Sequence, residues 1–338
     1  MNNRNLSPFP RIEHFLIFLL KRHQIYLDRK AGKPGPWSPD LILSNGRFCN
    51  VFRELDRVTI WIEENIRKPF ADHPNLWFML AIARYINWPD TLQELIEHYP
   101  DAWPDQESFS LAMLTEALED RARRGEKVYT GAYMIRAESD PKAPWYSWTK
   151  HRYISEIVLG RLWEDQDSFY ELFINEGLWG ESDRQPALHE VWSWFQQPCY
   201  IGWGPFMAYE VVTDLRHTRY LKNAPDIYTW ANAGPGAIRG LNRMVGRDLS
   251  AKPKPQQTCD EMKELMIQLN DWDSTMVNRV FGLPSDADPP RFEMRDIEHC
   301  LCEFDKYERV RLGEGKMRSK YDWRKAQPLT GESDCESN

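Results

Sequence analysis

No stretch of this 338-residue sequence reaches the ~18 consecutive apolar residues that a membrane helix needs. No secretory signal is visible either, because the apolar run Phe15–Leu20 is short and closely flanked by charge. The expectation is a cytoplasmic protein with reduced thiols and no membrane partner. The six cysteines include no Cys-x-x-Cys pair, which argues against zinc-ribbon and thioredoxin chemistry. They form no iron–sulfur triplet, and Cys300-x-Cys302 is poorly spaced for a structural metal site. Neither a metal nor a cofactor is therefore expected. A nucleotide-binding phosphate loop, GxxxxGK[ST], is also missing. Gly313-Glu-Gly-Lys316 lacks both its spacing and its hydroxyl residue, which argues against a kinase. Strand-like alternation is sparse, and Val128–Ile135 is the best candidate for an extended segment.

What is present is helical periodicity. Ile12, Phe15, Leu16, Leu19, Leu20 and Ile25 recur at three- and four-residue spacing, and similar patterns cover Asn50–Ile66, Leu76–Ile86, Thr91–His98 and Ser108–Arg121. One or two further helices fit Trp145–Asn175. After the break at Lys252-Pro-Lys-Pro255, two more fit Glu261–Leu269 and Arg295–Tyr307. The expected fold is all-α. Residues 1–325 form one helical catalytic domain, as a single body or as two lobes at about 1–135 and 136–325. Residues 326–338 read as a disordered tail. The 15 Trp are many for this length; they suit a core, and they also suit a pocket that stacks bases.

The net charge of −8 does not favour nucleic acid, but its sign is uneven. Between Arg216 and Lys254 stand eight basic residues against Asp226 and Asp248. A local basic surface can hold phosphates on an acidic protein. The same region carries two glycine-punctuated motifs. In Gly202-Trp203-Gly204-Pro205, a tight turn leads into a helix whose first N–H groups are open to an anion. The turn resembles the helix–hairpin–helix element of helical DNA glycosylases, which grips a backbone phosphate, and the resemblance implies a helical DNA-glycosylase-like core. Gly202, Trp203, Gly204, Arg216, Arg219 and Lys222 are the candidate DNA contacts. In Ala233-Gly234-Pro235-Gly236, a second turn precedes Arg239 and Arg243, which lie four apart on one face. Gly234, Gly236, Arg239 and Arg243 are the candidate cradle for a phosphate or pyrophosphate.

Several segments together resemble the alpha-glutamyl/putrescinyl thymine pyrophosphorylase family. These are bacteriophage amino acid:DNA transferases with relatives fused to 5-hydroxymethyluracil DNA kinases. The segments are Pro36–Asp40, Phe48-Cys-Asn-Val-Phe-Arg-Glu-Leu-Asp-Arg-Val-Thr59, Leu76–Pro89, Tyr129–Ile135, both glycine motifs, Ile297–Arg309 and Gly313–Lys316. They span most of the chain in order. The resemblance implies displacement of phosphate or pyrophosphate from modified 5-hydroxymethyluracil in DNA by the amine of an amino acid or polyamine. The enzyme would work downstream of a 5-hydroxymethyluracil DNA kinase in an infected bacterial cell.

The chemistry needs a cation near the leaving group and a base near the amine. Arg239, Arg243 and Arg53 suit the first. Asp214, Glu54 and Asp56 suit the second, Asp214 by analogy with the glycosylase aspartate that follows the hairpin. Asn50, Arg53 and Glu54 are expected on one helix face. With Tyr133, Glu298, Glu303, Lys306 and Tyr307, Asn50 completes the expected substrate pocket. A glycosylase-like enzyme that removes a modified base and a non-catalytic DNA-binding helical module are the alternative readings.

Overall fold

The computed structural model describes residues 8–174, 185–271, 292–317 and 319–325. The tail 326–338 and Arg318 lie outside them. The chain forms two compact units, one from residues 57–226 and the other from both flanks, 1–56 and 227–338. The described residues are mostly helical and form no strand; an isolated bridge joins Gly46 and Lys320. The segment Val128–Ile135 is irregular and joins no strand ladder among the described residues; Thr130 N–H donates to the Ile86 carbonyl at 3.0 Å.

The flanking unit contains α1 (Ile12–Lys30), α2 (Leu41–Asn45), α12 (Pro235–Val245), α13 (Pro255–Asp271) and α14 (Met294–Arg311). In α1 most of the predicted stripe is buried: Phe15, Leu16, Leu19 and Ile25 face the core with Phe18, while Ile12 and Leu20 stay partly exposed. Phe15 and Phe18 meet Phe304 of α14 with ring centroids 5.1 and 5.6 Å apart. Asp40 caps α2 by accepting from Ile42 N–H at 3.0 Å, and also accepts from Tyr307 OH at 2.7 Å.

Helices α12 and α14 lie side by side, with Gly240 against the α14 backbone. A Cβ at Gly240 would collide with the Leu301 carbonyl oxygen and stand 2.7 Å from its carbonyl carbon. Backbone cannot swing aside as a side-chain tip can. Gly240→Ala is therefore expected to cost about 1–3 kcal/mol, toward the upper end of overpacking penalties. A chemical denaturation curve measures this, and an unchanged midpoint would mean that the two helices separate without cost.

The central unit contains α3 (Arg57–Ile62, continued as a π-helical turn over Glu63–Arg67), α4 (Leu76–Ile86), α5 (Pro89–His98) and α6 (Leu111–Arg123). The run α7 (Lys150–Arg152), π-helical Tyr153–Leu159 and α8 (Gly160–Glu164) follows. Then come α9 (Gln166–Ile174), α10 (Leu188–Phe195) and α11 (Pro205–Leu215). The apolar sequence of α4 is buried along its whole length. Trp77 stacks on Phe169 at 4.1 Å, and Trp194 meets the edges of both rings. Of the two readings of tryptophan, Trp77, Trp103, Trp194 and Trp203 take the core one.

One expected helix is not continuous. Between Asn50 and Ile66 the chain forms a loop, a 3₁₀ turn at Arg53–Leu55, and only then α3 from Arg57. Asn50, Arg53 and Glu54 therefore do not share a helix face. The reason is local competition: Asn50 N–H donates to Asp56 Oδ1 at 2.9 Å and Asn50 Nδ2 donates to Leu55 O at 2.6 Å. These bonds fold the segment into a compact turn in place of a helical ladder.

Candidate functional site

In the flanking unit, α14 lays a polar face against the Phe48–Asp56 loop and the start of α12. Residues three and four apart on a helix share a face, so Arg295, Glu298, His299, Cys302, Glu303 and Lys306 line up together. Glu298 accepts the Gly234 N–H at 3.1 Å. Its carboxylate thus occupies the α12 N-terminus, where the helix dipole favours negative charge. Cys302 packs against Gly236, where a Cβ would collide with the Cys302 sulfur. Glu303 accepts from Cys49 N–H at 3.1 Å and pairs with Lys306 at 2.9 Å. Glu54 pairs with Arg295 at 3.1 Å.

Asn50 holds the loop in place. Beyond the two bonds that shape the turn, its carbonyl meets His299 Nε2 at 3.2 Å and its Oδ1 accepts from Arg22 Nη2 at 2.8 Å. Arg22 also donates to the carbonyls of Phe48 and Cys49. The side chain of Asn50 is committed to this scaffold.

Burial sets the protonation of this face. Asp56 keeps some solvent exposure, yet desolvation pushes its carboxyl up to about 6, against the Asn50 amide and the charges of Arg53 and Arg22. The half-buried Glu298 is pushed up to about 7 by desolvation, opposed by the Gly234 amide and Arg53. His299 is pushed down to about 3, first by burial and then by Arg53, and is neutral at physiological pH. Arg53 is close enough for its charge to act on all three groups.

The two arginines expected to cradle a phosphate have a partner in the protein. Arg239 Nε and Arg243 Nε each donate to Asp305 at 2.9 Å, and Arg243 also pairs with Glu314. Arg243 is buried, whereas the Arg239 side chain is 40% exposed. With Glu298 on Gly234, the expected cradle is already balanced by carboxylates; Arg239 keeps the most outward surface. Tyr307 spends its hydroxyl on Asp40.

The other sequence-predicted residues belong to the central unit. Asp214 is 1% exposed and forms a two-pronged pair with Arg84, itself 2% exposed; Arg84 Nη2 lies 2.8 Å from Asp214 Oδ1. Arg84 Nη2 also donates to Thr59 Oγ1 at 3.1 Å. One turn before Asp214, the buried Glu210 accepts from Tyr133 OH at 2.7 Å. Gly202 adopts φ +86°, and a Cβ there would stand 2.9 Å from Val158 Cγ2, so the turn needs glycine. Trp203 is 3% exposed and donates to the Val158 carbonyl at 2.8 Å; its ring is core, not a stacking platform. Arg216 reaches the Lys222 carbonyl at 3.1 Å, Arg219 lies over Tyr220, and Lys222 is exposed.

Sequence reading missed Arg84, Glu210, Cys49 and His299. Arg84 and Glu210 carried a signal: Arg84 is a charge inside an otherwise apolar helix, and Glu210 stands four residues before Asp214 on the same helix. Cys49 and His299 are distant in sequence and carried none.

The sequence profile described as "5-hmdU DNA kinase, helical domain" matches residues 10–317. A 5-hmdU DNA kinase of Bacillus phage SP10 is 26% identical over 242 residues, covering 67% of this chain and 35% of that protein. The chain thus spans about a third of that relative's length. No solved structure matches.

Proposed function

We propose, on the premise that the chain belongs to the 5-hmdU DNA kinase helical-domain family, that it modifies a 5-hydroxymethyluracil-derived base in DNA. The reaction is replacement of a phosphate or pyrophosphate on the base's methylene carbon by the amine of an amino acid or polyamine. The observation that carries this reading is the convergence of Glu298, Asp56, neutral His299 and Arg53 beside the α12 N-terminus. One face there offers carboxylates able to accept a proton and a cation able to meet a leaving phosphate.

In this reaction the bond from carbon to the leaving oxygen breaks and a carbon–nitrogen bond forms. The amine proton passes to a carboxylate, assigned to Glu298; within the flanking unit Glu54 is held by Arg295, and in the central unit Asp214 is held by Arg84. Arg53 and the outward part of Arg239 stabilise the departing charge. The target carbon lies on a base edge, so the nucleotide leaves the stack before reaction. The Gly202–Pro205 turn with Arg216, Arg219 and Lys222 is the proposed contact for the DNA backbone, through main-chain amides and not the Trp203 ring. A phage relative named for a 5-hmdU DNA kinase supports a place after phosphorylation of the base, in an infected host cell. Phosphoryl transfer from a nucleotide by this chain itself has no support in its sequence, which lacks the phosphate loop.

The test is incubation with DNA carrying phosphomethyl- or pyrophosphomethyl-uracil and a panel of amines, followed by digestion and mass spectrometry of the nucleosides. An amine adduct with release of phosphate or pyrophosphate is the expected result. Free base would favour a glycosylase-like hydrolysis, and tight DNA binding with no turnover would favour a binding module.

A further inference from the structure

Three metal-ligating side chains of different chemistry meet in the flanking unit. The Cys49 sulfur, an Asp56 carboxylate oxygen and a His299 ring nitrogen all lie within 4.8 Å of one another. Cys49 and Asp56 come from the two ends of one short loop, and His299 from α14.

The loop backbone fixes two of these ligands at once. Asn50 N–H donates to Asp56 Oδ1 at 2.9 Å, which fixes the orientation of the carboxylate. Asn50 C=O meets His299 Nε2 at 3.2 Å. With the hydrogen on Nε2, the lone pair sits on Nδ1. A backbone carbonyl on the far ring nitrogen is a common way to fix the tautomer and direction of a metal-binding imidazole. Glu303 and Arg22 anchor the Cys49 peptide on its two sides, through its N–H and its C=O.

We propose that Cys49, Asp56 and His299 form a three-ligand site for a divalent transition metal, with Zn²⁺ the best match. Thiolate, imidazole and carboxylate together suit Zn²⁺ or Co²⁺, whereas Mg²⁺ and Ca²⁺ favour an all-oxygen shell. Bonds of about 2.0–2.3 Å place tetrahedral donors about 3.3–3.8 Å apart, so closure needs a shift of roughly an ångström. Rotation of the Cys49 side chain about its single Cα–Cβ torsion can supply it. Two anionic ligands offset the charge of the ion, and Glu303 offsets Lys306 beside them, while the charges of Arg53 and Arg22 also reach this face and oppose the ion. Three protein ligands leave a fourth position for water or substrate, the pattern of catalytic and not of closed structural zinc. The proposal does not depend on the transferase reading; if both hold, Asp56 is a ligand and proton transfer falls to Glu298.

The full chain, purified without a histidine tag and dialysed against metal-free buffer, is analysed for bound metal by mass spectrometry and then titrated with Co²⁺. Stoichiometric Zn²⁺ is expected. Co²⁺ should give intense tetrahedral visible bands and a near-ultraviolet thiolate charge-transfer band. Cys49→Ser, a conservative change, should abolish the thiolate band while circular dichroism stays native. His299→Ala should lower metal retention, with Cys49→Ser as the check should this buried position fail to fold. Metal-free protein with an octahedral Co²⁺ spectrum would overturn the site, as would a thiolate band unchanged in Cys49→Ser. All of these readouts are independent of activity, so failure of the transferase assay leaves them unaffected.

Discussion

Replacing Asp214 by Ala should destabilise the folded chain by about 3–5 kcal/mol, the usual cost of stranding one partner of a buried ion pair. Asp214 and Arg84 are both almost wholly excluded from solvent and are joined by two hydrogen bonds. With Asp214 gone, Arg84 keeps its positive charge, because guanidinium does not deprotonate in proteins. Its remaining partners include Thr59 Oγ1 and the Asn87 side chain, both neutral. The pair itself is a different matter: removing both charges together costs much less, since the large penalty belongs to the orphan. The double variant Arg84→Met/Asp214→Leu should therefore recover most of the stability lost in Asp214→Ala. Urea denaturation of the wild type, both single variants and the double variant closes the cycle. If Asp214→Ala keeps the wild-type midpoint but loses turnover, Asp214 acts in the chemistry as the glycosylase analogy implied, and the structural assignment fails.

Glu298→Gln should slow amine transfer by about 10²–10⁴-fold, the range for loss of a positioned general base. The substitution is nearly isosteric, and glutamine's carbonyl oxygen still accepts the Gly234 N–H. The α12 N-terminus loses a favourable charge worth roughly 0.3–1 kcal/mol, so the fold persists. Single-turnover adduct formation with saturating amine isolates the step. DNA affinity should stay within a few-fold, because Glu298 repels phosphate and does not bind it. A variant with wild-type single-turnover rate would remove Glu298 from the chemistry and leave it as a helix cap. A variant with weakened DNA binding but normal chemistry would place its role in substrate docking.

The helices were legible because burial of one face leaves a local periodic trace. The apolar pattern Leu76–Ile86 coincides with α4 end to end, since Asn87 in the left-handed conformation and Pro89 close it. Both glycine motifs open helices at the expected prolines, Pro205 and Pro235. Where the pattern failed, a side chain competed with the helical ladder, as Asn50 does in the Phe48–Asp56 loop. Among the candidate site residues, Asn50, Arg53, Glu54, Asp56, Gly234, Gly236, Glu298, Glu303 and Lys306 all fall in the flanking unit, although the chain separates the first four from the rest. Asp214, Tyr133 and the Gly202–Lys222 set fall in the central one.

The sequence by itself determined that the chain is mostly helical, where several of the helices lie, and that glycine-framed helix N-termini stand at Gly204 and Gly234. Those properties depend on neighbours a few residues away. The tertiary structure alone decided what each charge meets. It gave the Gly234 amide to Glu298, Arg239 and Arg243 to Asp305, and Asp214 to Arg84. It also gathered Cys49, Asp56 and His299. A phosphate cradle read from two nearby arginines counts the cations that are local in sequence. The carboxylate that neutralises them lies on another helix, beyond the reach of any periodicity.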